Sequence, residues 1–485
     1  MNIYQRKNIF RRRDDSAVYR MFFLVVLILA GVWLIRSVYQ GDVKPLFLPT
    51  PTPTRFATSY TLEGDALFTA GKLQDSTDAN GNIVPGAITA YQEAVRIDPN
   101  NAEVWAQLSR VQTYSTALLV RREEILTRLD EAIASAEKAV ELNPDSSYAH
   151  AVHAFALNWK ASYTSAGREQ QDLLTQSQLS ATRALQLDNT NTLALAFYAE
   201  VLVDQQQWNQ AQLQIEQALA QDSSLMDVHR VHAYVLESLG EYALAIEAYD
   251  RAIALAPNLT FLYLRAGAGY RRLAFDSPNE QVQRELFEKS LEYFAQAARI
   301  NEQLGVEDPA PYLSIARTYS QMGQFFIAIR NVQKTIEFQP SEAVYYGELG
   351  MLYHKNRNYE TGILAFKCAI RGCTEEESCE GRGGCGPNDT PAVVEPVSLS
   401  LATVYYFDVY ASELAALSTP KINRCDEALE IVKIVEGSEY ISDPNIAADM
   451  VVVKNICKSL ELDISVQDLL TTPTPTPTVD STPTP

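Results

Sequence analysis

Apolar and small residues recur along most of this chain at steps of three and four, the spacing of one helical face. The stretch Met226–Pro257 shows the unit as two runs, MDVHRVHAYVLESLG and EYALAIEAYDRAIALAP, which meet at Gly240. His229, His232, Ala233 and Leu236 share a face of the first run. Ala245, Tyr249 and Ala252 line the second, and Pro257 stops it. Neither run can bury its stripe alone, so the pattern predicts helix pairs stacked on helix pairs.

The spacing of the second run repeats along the chain. Ala87, Tyr91, Ala94 and Pro99 fit it, as do Ala132, Ala136, Ala139 and Pro144. Ser177, Ala181, Ala184 and Asn189 follow, then Ala211, Ile215, Ala218 and Ser223. Beyond the index unit come Ser290, Phe294, Ala297 and Glu302, then Ala328, Val332, Thr335 and Pro340, then Gly362, Phe366, Ala369 and Thr374. A weaker ninth unit surrounds Ala428 and Val432. Three units keep a length of 34 residues, whereas the first, second, third and sixth carry extra residues between their helices. Small residues in the second helix let the two helices approach closely, and aromatics fill the space above and below. Asp443–Leu462 reads as a capping helix, with Ala447, Val451, Val452 and Ile456 expected to face inward.

These slots resemble the tetratricopeptide repeat. First-helix matches are Trp105 and Leu108; Tyr312, Ala316 and Tyr319; and Tyr346, Leu349, Gly350 and Tyr353. The resemblance covers about residues 58–440. It implies an all-α solenoid over residues 59–462, a right-handed superhelix whose first helices line a concave groove for protein or peptide partners. The groove-facing places fall to Arg110, Tyr114, Tyr148, Phe155, Asn158 and Trp159 near one end. Farther along they fall to Arg230, Tyr234, Glu237, Phe261, Arg271, Arg317, Met351 and His354. Chaperone-tail binders of the family grip a terminal carboxylate with Lys and Asn; Arg230 and Tyr234 stand in the comparable places, so that grip is not reproduced.

The amino-terminal stretch follows a different pattern. Residues 21–39 begin with an unbroken apolar run, MFFLVVLILAGVWLI, about long enough to cross a bilayer. Residues 1–20 are net basic, so the positive-inside rule places them in the cytoplasm and the rest outside, on an uncleaved signal anchor. Residues 40–58 form a Pro/Thr-rich linker, and residues 463–485 a Thr/Pro-rich tail expected to be disordered. The expectation is a single-pass membrane protein with an extracytoplasmic solenoid.

Charge and candidate chemistry narrow the function. A formal net charge of -20 repels phosphate backbones, which argues against nucleic acid and for partners that are neutral or basic or are held mainly by apolar contact. The pairs His150/His153 and His229/His232 could each offer two ligands, but they lie two repeats apart and no further ligand completes either, so packing is the expectation and no metal is assigned. The six cysteines, Cys368, Cys373, Cys379, Cys385, Cys425 and Cys457, suit disulfides in an oxidising compartment, with a Cys-rich loop at 371–395. Their pairing stays open, although a bridge from Cys425 to Cys457 would lock the cap. No phosphate-binding Gly loop, nucleophile elbow or HExxH is present, so neither catalysis nor a cofactor is expected. The reading is a membrane-anchored scaffold for protein–protein contacts. Its rivals are a subunit of a membrane enzyme or secretion complex, and a cell-wall or glycan binder.

Overall fold

The computed structural model describes residues 15–39, 55–78, 80–119, 121–387 and 389–471. Most of the basic segment, most of the linker and the end of the tail lie outside the described residues. The chain forms two units, Met1–Phe56 and Ala57–Pro485. The first contains α1 (Asp15–Tyr39), whose large apolar side chains from Val18 to Trp33 are exposed. Among the described residues no helix is long and apolar enough to cross a membrane.

The second unit is built from helix pairs. The first is α2 (Ala57–Thr69) with α3 (Ala87–Ile97), separated by a short antiparallel ribbon of β1 (Ser76–Thr77) and β2 (Ile83–Val84). Then come α4 (Ala102–Ser115) with α5 (Arg122–Leu142), α6 (Ser147–Tyr163) with α7 (Arg168–Leu187), and α8 (Thr192–Asp204) with α9 (Trp208–Gln221). The index unit is α10 (Met226–Ser238) with α11 (Tyr242–Leu255), followed by α12 (Thr260–Asp276) with α13 (Glu280–Leu304). The series continues as α14 (Ala310–Gln321) with α15 (Phe325–Phe338), and α16 (Ala343–Lys355) with α17 (Tyr359–Arg371). A short α18 (Glu375–Gly381) precedes the last pair, α19 (Val404–Ala416) with α20 (Cys425–Glu436), and α21 (Pro444–Thr471) closes the stack. Each pair packs against the next.

The small and apolar slots read from the sequence within the second helices are buried. Ala132, Ala136 and Ala139 are fully enclosed on α5, as are Ala211, Ile215 and Ala218 on α9 and Ala328, Val332 and Thr335 on α15. The weak ninth unit is equally well packed at Ala428 and Val432. First helices begin at matching caps: Asn101, Ser146 and Asn191 each accept a hydrogen bond from the backbone N–H three residues on. The extra residues of the longer units are largely taken up as added turns, giving 21 residues in α5, 20 in α7 and 25 in α13.

Two details depart from the sequence reading. The inward face of α21 is Ile446, Met450, Val453 and Cys457, while Val451 and Val452 are exposed. The apolar positions of that helix are nearly continuous, so periodicity alone does not fix its rotation. The helix also continues to Thr471, beyond residue 462 where the tail is expected to begin. The Cys-rich loop contains α18, started by a capping box of Thr374 and Glu377, and is held by the buried Arg382, which donates to the Tyr346 hydroxyl and the Thr390 carbonyl. Disulfides join Cys368 to Cys373, Cys379 to Cys385 and Cys425 to Cys457, with Cα separations of 4.8, 4.9 and 5.4 Å.

Candidate functional site

The inner face divides into two stretches of opposite character. In the first, α4 curls round to meet α10. The Tyr114 hydroxyl donates to Asp227 Oδ1 at 2.6 Å, and Arg110 Nε donates to the same oxygen at 3.0 Å. Arg230 Nε donates to the Tyr114 oxygen at 3.0 Å, while its two terminal nitrogens grip Glu200 at 2.8 and 2.6 Å. Trp159 Nε1 donates to Glu200 at 3.0 Å. Burial opposes charge on Asp227, but the adjacent Arg110 guanidinium holds its carboxyl below the ordinary range. Arg230 stays firmly protonated despite burial because Glu200 faces it. The network is packed in aromatics, with Tyr114 stacked on Phe261 and Phe155 stacked on Phe197.

This closure changes the meaning of the residues expected to line an open groove. Tyr114, Phe155, Asn158 and Arg230 are buried; the Tyr114 hydroxyl, the Arg230 guanidinium and the Asn158 amide nitrogen bond within the fold. Arg110 and Tyr148 are half-buried beside them, and Trp159 and Phe261 pack against the same core. What remains is a cavity of about 350 Å³ whose walls include Trp159, Glu200, Asp204, Tyr234, Phe261 and Arg265. Asp204 accepts from Tyr234 at 2.6 Å and from Asn158 at 2.6 Å, and burial raises its carboxyl. Glu237 accepts from Tyr249 and Arg265, both at 2.9 Å. Arg230 is thus matched by Glu200 and Arg265 by Glu237, while Asp204 is held by neutral donors.

The second stretch is open. Arg271 on α12, Arg317 and Ser320 on α14, and Glu348, Met351 and Lys355 on α16 line one concavity of about 210 Å³. Arg317 pairs with Glu348 at 2.5 Å. Among the described residues Arg271 donates only to the Ser314 carbonyl, at 3.2 Å, and it lies over the Phe294 ring. Burial, with Arg317 beside it, pulls its affinity for a proton below the ordinary arginine value. His354 lies outside this wall, with its Nδ1 2.8 Å from the buried Glu413. Of the groove residues named from the sequence, Arg271, Arg317 and Met351 therefore come together here.

Sequence reasoning missed the carboxylates Glu200, Asp204 and Asp227. The available signal was an acidic residue among apolar ones on a first helix, as in Glu200 within AFYAEVLV. No potential metal-holding group of three or more His, Cys, Asp or Glu occurs among the described residues. His153 meets the Ser180 hydroxyl at 3.0 Å, and His229 meets the Ser223 carbonyl at 2.9 Å.

The stacked pairs define a tetratricopeptide-type α-solenoid, closed along part of its inner face and open along the rest. Family models described as tetratricopeptide repeat match residues 199–272 and 124–146. No curated protein matches the sequence. Among solved structures, TTC0263, a thermophilic TPR protein of Thermus thermophilus, is 17% identical over 44% of this chain and 98% of its own, with a TM-score of 0.34. The human IFIT1 dimer with m7Gppp-AAAA is 15% identical over 85% of this chain and 91% of that one, with a TM-score of 0.49. The Cut9–Hcn1 hetero-tetramer of the APC/C is 13% identical over 66% of this chain and 52% of that one, at a TM-score of 0.44. At such identities nothing about partners carries across.

Proposed function

We propose that the protein is a binding scaffold that holds a protein partner against the open inner face of its second half. The observation that carries this is the concavity between α12, α14 and α16, where Arg271, Arg317 and Met351 converge. The closed first half acts as a rigid base, and no catalytic step is part of the reading. We further place the solenoid outside the membrane, tethered through residues 21–39. The basic residues 1–20 before the apolar run support that orientation. Three disulfides among the six cysteines support an oxidising compartment.

A photo-crosslinking residue at Met351 in intact cells tests the scaffold. It should yield a discrete protein adduct, whereas the same probe at Phe155 should yield none. Adducts from Phe155 alone would sink the proposal. Glycan stacking on Tyr114 is disfavoured because that ring is buried, and Trp159 is half-buried with its indole N–H held by Glu200.

A further inference from the structure

The open concavity carries a charge opposite to that of the molecule. Arg271, Arg317 and Lys355 line it against one carboxylate, Glu348, in a chain of net charge -20. Glu348 is already paired with Arg317. Lys355 donates to the Ser320 hydroxyl at 3.2 Å, and Arg271 to a backbone carbonyl; among the described residues neither is ion-paired to a carboxylate. At physiological salt the field of the acidic body fades over about 8 Å, so a group inside the concavity responds to its three cations rather than to the whole chain. The bulk charge of the chain therefore does not set the preference at this place.

A second concavity of about 330 Å³ adjoins the first, and Arg271 and Gln321 line both. Its wall includes Ala268, Gly269, Tyr242 and Phe275, and the Phe275 ring is 62% exposed. Its charges are already matched, Arg272 to Asp276 at 3.0 Å and Glu237 to Arg265 at 2.9 Å. A cationic seat and a mixed seat with an exposed aromatic ring thus share Arg271 and Gln321. We propose that these adjoining seats take an extended protein segment, an acidic side chain entering between Arg271, Arg317 and Lys355 while an apolar neighbour rests on Phe275. The inference rests on the scaffold reading and adds the chemistry of the partner. The continuation of the surface past Arg271 favours a segment that passes through over a chain terminus that ends there.

Fluorescence anisotropy on the purified full chain tests this, with an amidated, fluorescein-labelled peptide of alternating Glu and Leu. It should bind at least about tenfold more tightly than its Gln/Leu counterpart. Arg271→Gln combined with Lys355→Gln should remove that preference, and Glu348→Gln should tighten the acidic peptide, a gain that misfolding cannot produce. Equal affinity for the two peptides, or binding of neither, overturns the inference. Tight binding of a Gln/Leu peptide only when its carboxy-terminus is free also overturns it, since the site would then take a chain end. None of these outcomes alters the crosslinking result at Met351, so the scaffold reading is judged separately.

Discussion

Tyr114 and Asp227 lie 113 residues apart in sequence, yet the hydroxyl of one donates to the carboxylate of the other at 2.6 Å. Asp227 also anchors Arg110, and Tyr114 receives Arg230, so one buried carboxylate organises two guanidinium groups. Asp227→Asn keeps the shape and removes the charge, leaving Arg110 without its counter-charge and Tyr114 with a weaker acceptor, while Arg230 keeps Glu200. We expect a loss of roughly 3–5 kcal/mol in chemical denaturation. A variant that unfolds where the parent does would show that the contact is incidental.

Close packing of first helix on second sets another expectation. A Cβ on Gly350 would lie 2.6 Å from Phe366 Cδ1, and one on Gly267 would lie 2.6 Å from Phe294 Cε1. Gly350→Ala should therefore cost about 1–3 kcal/mol. Pairing it with Phe366→Leu should recover part of that loss, whereas simple additivity would place the strain elsewhere.

The turn between paired helices needs a left-handed residue. Gly240 and Gly323 supply it with φ of 82° and 73°, but Gln206 and Arg357 occupy the equivalent place at 61°. Gln206→Gly and Arg357→Gly should each stabilise the fold by about 0.5–1 kcal/mol, the conformational relief being partly offset by a freer unfolded chain. Thermal melts of the two single variants decide it, and a drop in either midpoint would count against the argument.

Glu413 introduces a pH dependence. Burial lifts its carboxyl to about 8, and its Oε2 has no partner among the described residues. Asp408 is raised in the same way, to about 7. Between the ordinary carboxylate range and these values the folded state holds protons that the unfolded state releases, so stability falls as pH rises through that window. Glu413→Gln should flatten the decline in melting temperature from about pH 5 to about pH 8. An unchanged slope would assign the dependence to other groups.

The Cys425–Cys457 bridge ties α20 to the terminal helix across 32 residues. Loop-closure entropy gives it a worth of roughly 3–4 kcal/mol. Cys457→Ser should abolish slow hydrogen exchange in α21 while leaving α4 and α10 protected. Loss of protection throughout would mean that the cap supports the whole stack.

The helix pairs were legible because their contacts are local. Tyr249 meets Glu237 of its own helix pair, and the spacing of Ala245, Tyr249 and Ala252 is written in the chain. The closure of the inner face was not legible, since Tyr114 meeting Phe261 depends on curvature accumulated over several pairs. Small changes in each pair decide whether α4 and α10 touch or stand apart. Arg230 and Arg271 look alike on their first helices, but one is sealed against Glu200 and the other opens into a cavity. The face of α21 escaped for a simpler reason, because Val451, Val452 and Val453 leave no polar gap from which to read a direction.

In an ordinary stack of helix pairs, each touching only its neighbours, the ends can fray while the middle holds. The clasp between α4 and α10 removes that freedom from the pairs it encloses, because none can peel away without opening the whole ring. The portion from α4 to α12 should therefore melt as one cooperative block. The pairs from α14 onward, lacking such a clasp among the described residues, remain able to yield in smaller steps, on the side of the molecule where a partner would ask them to adjust.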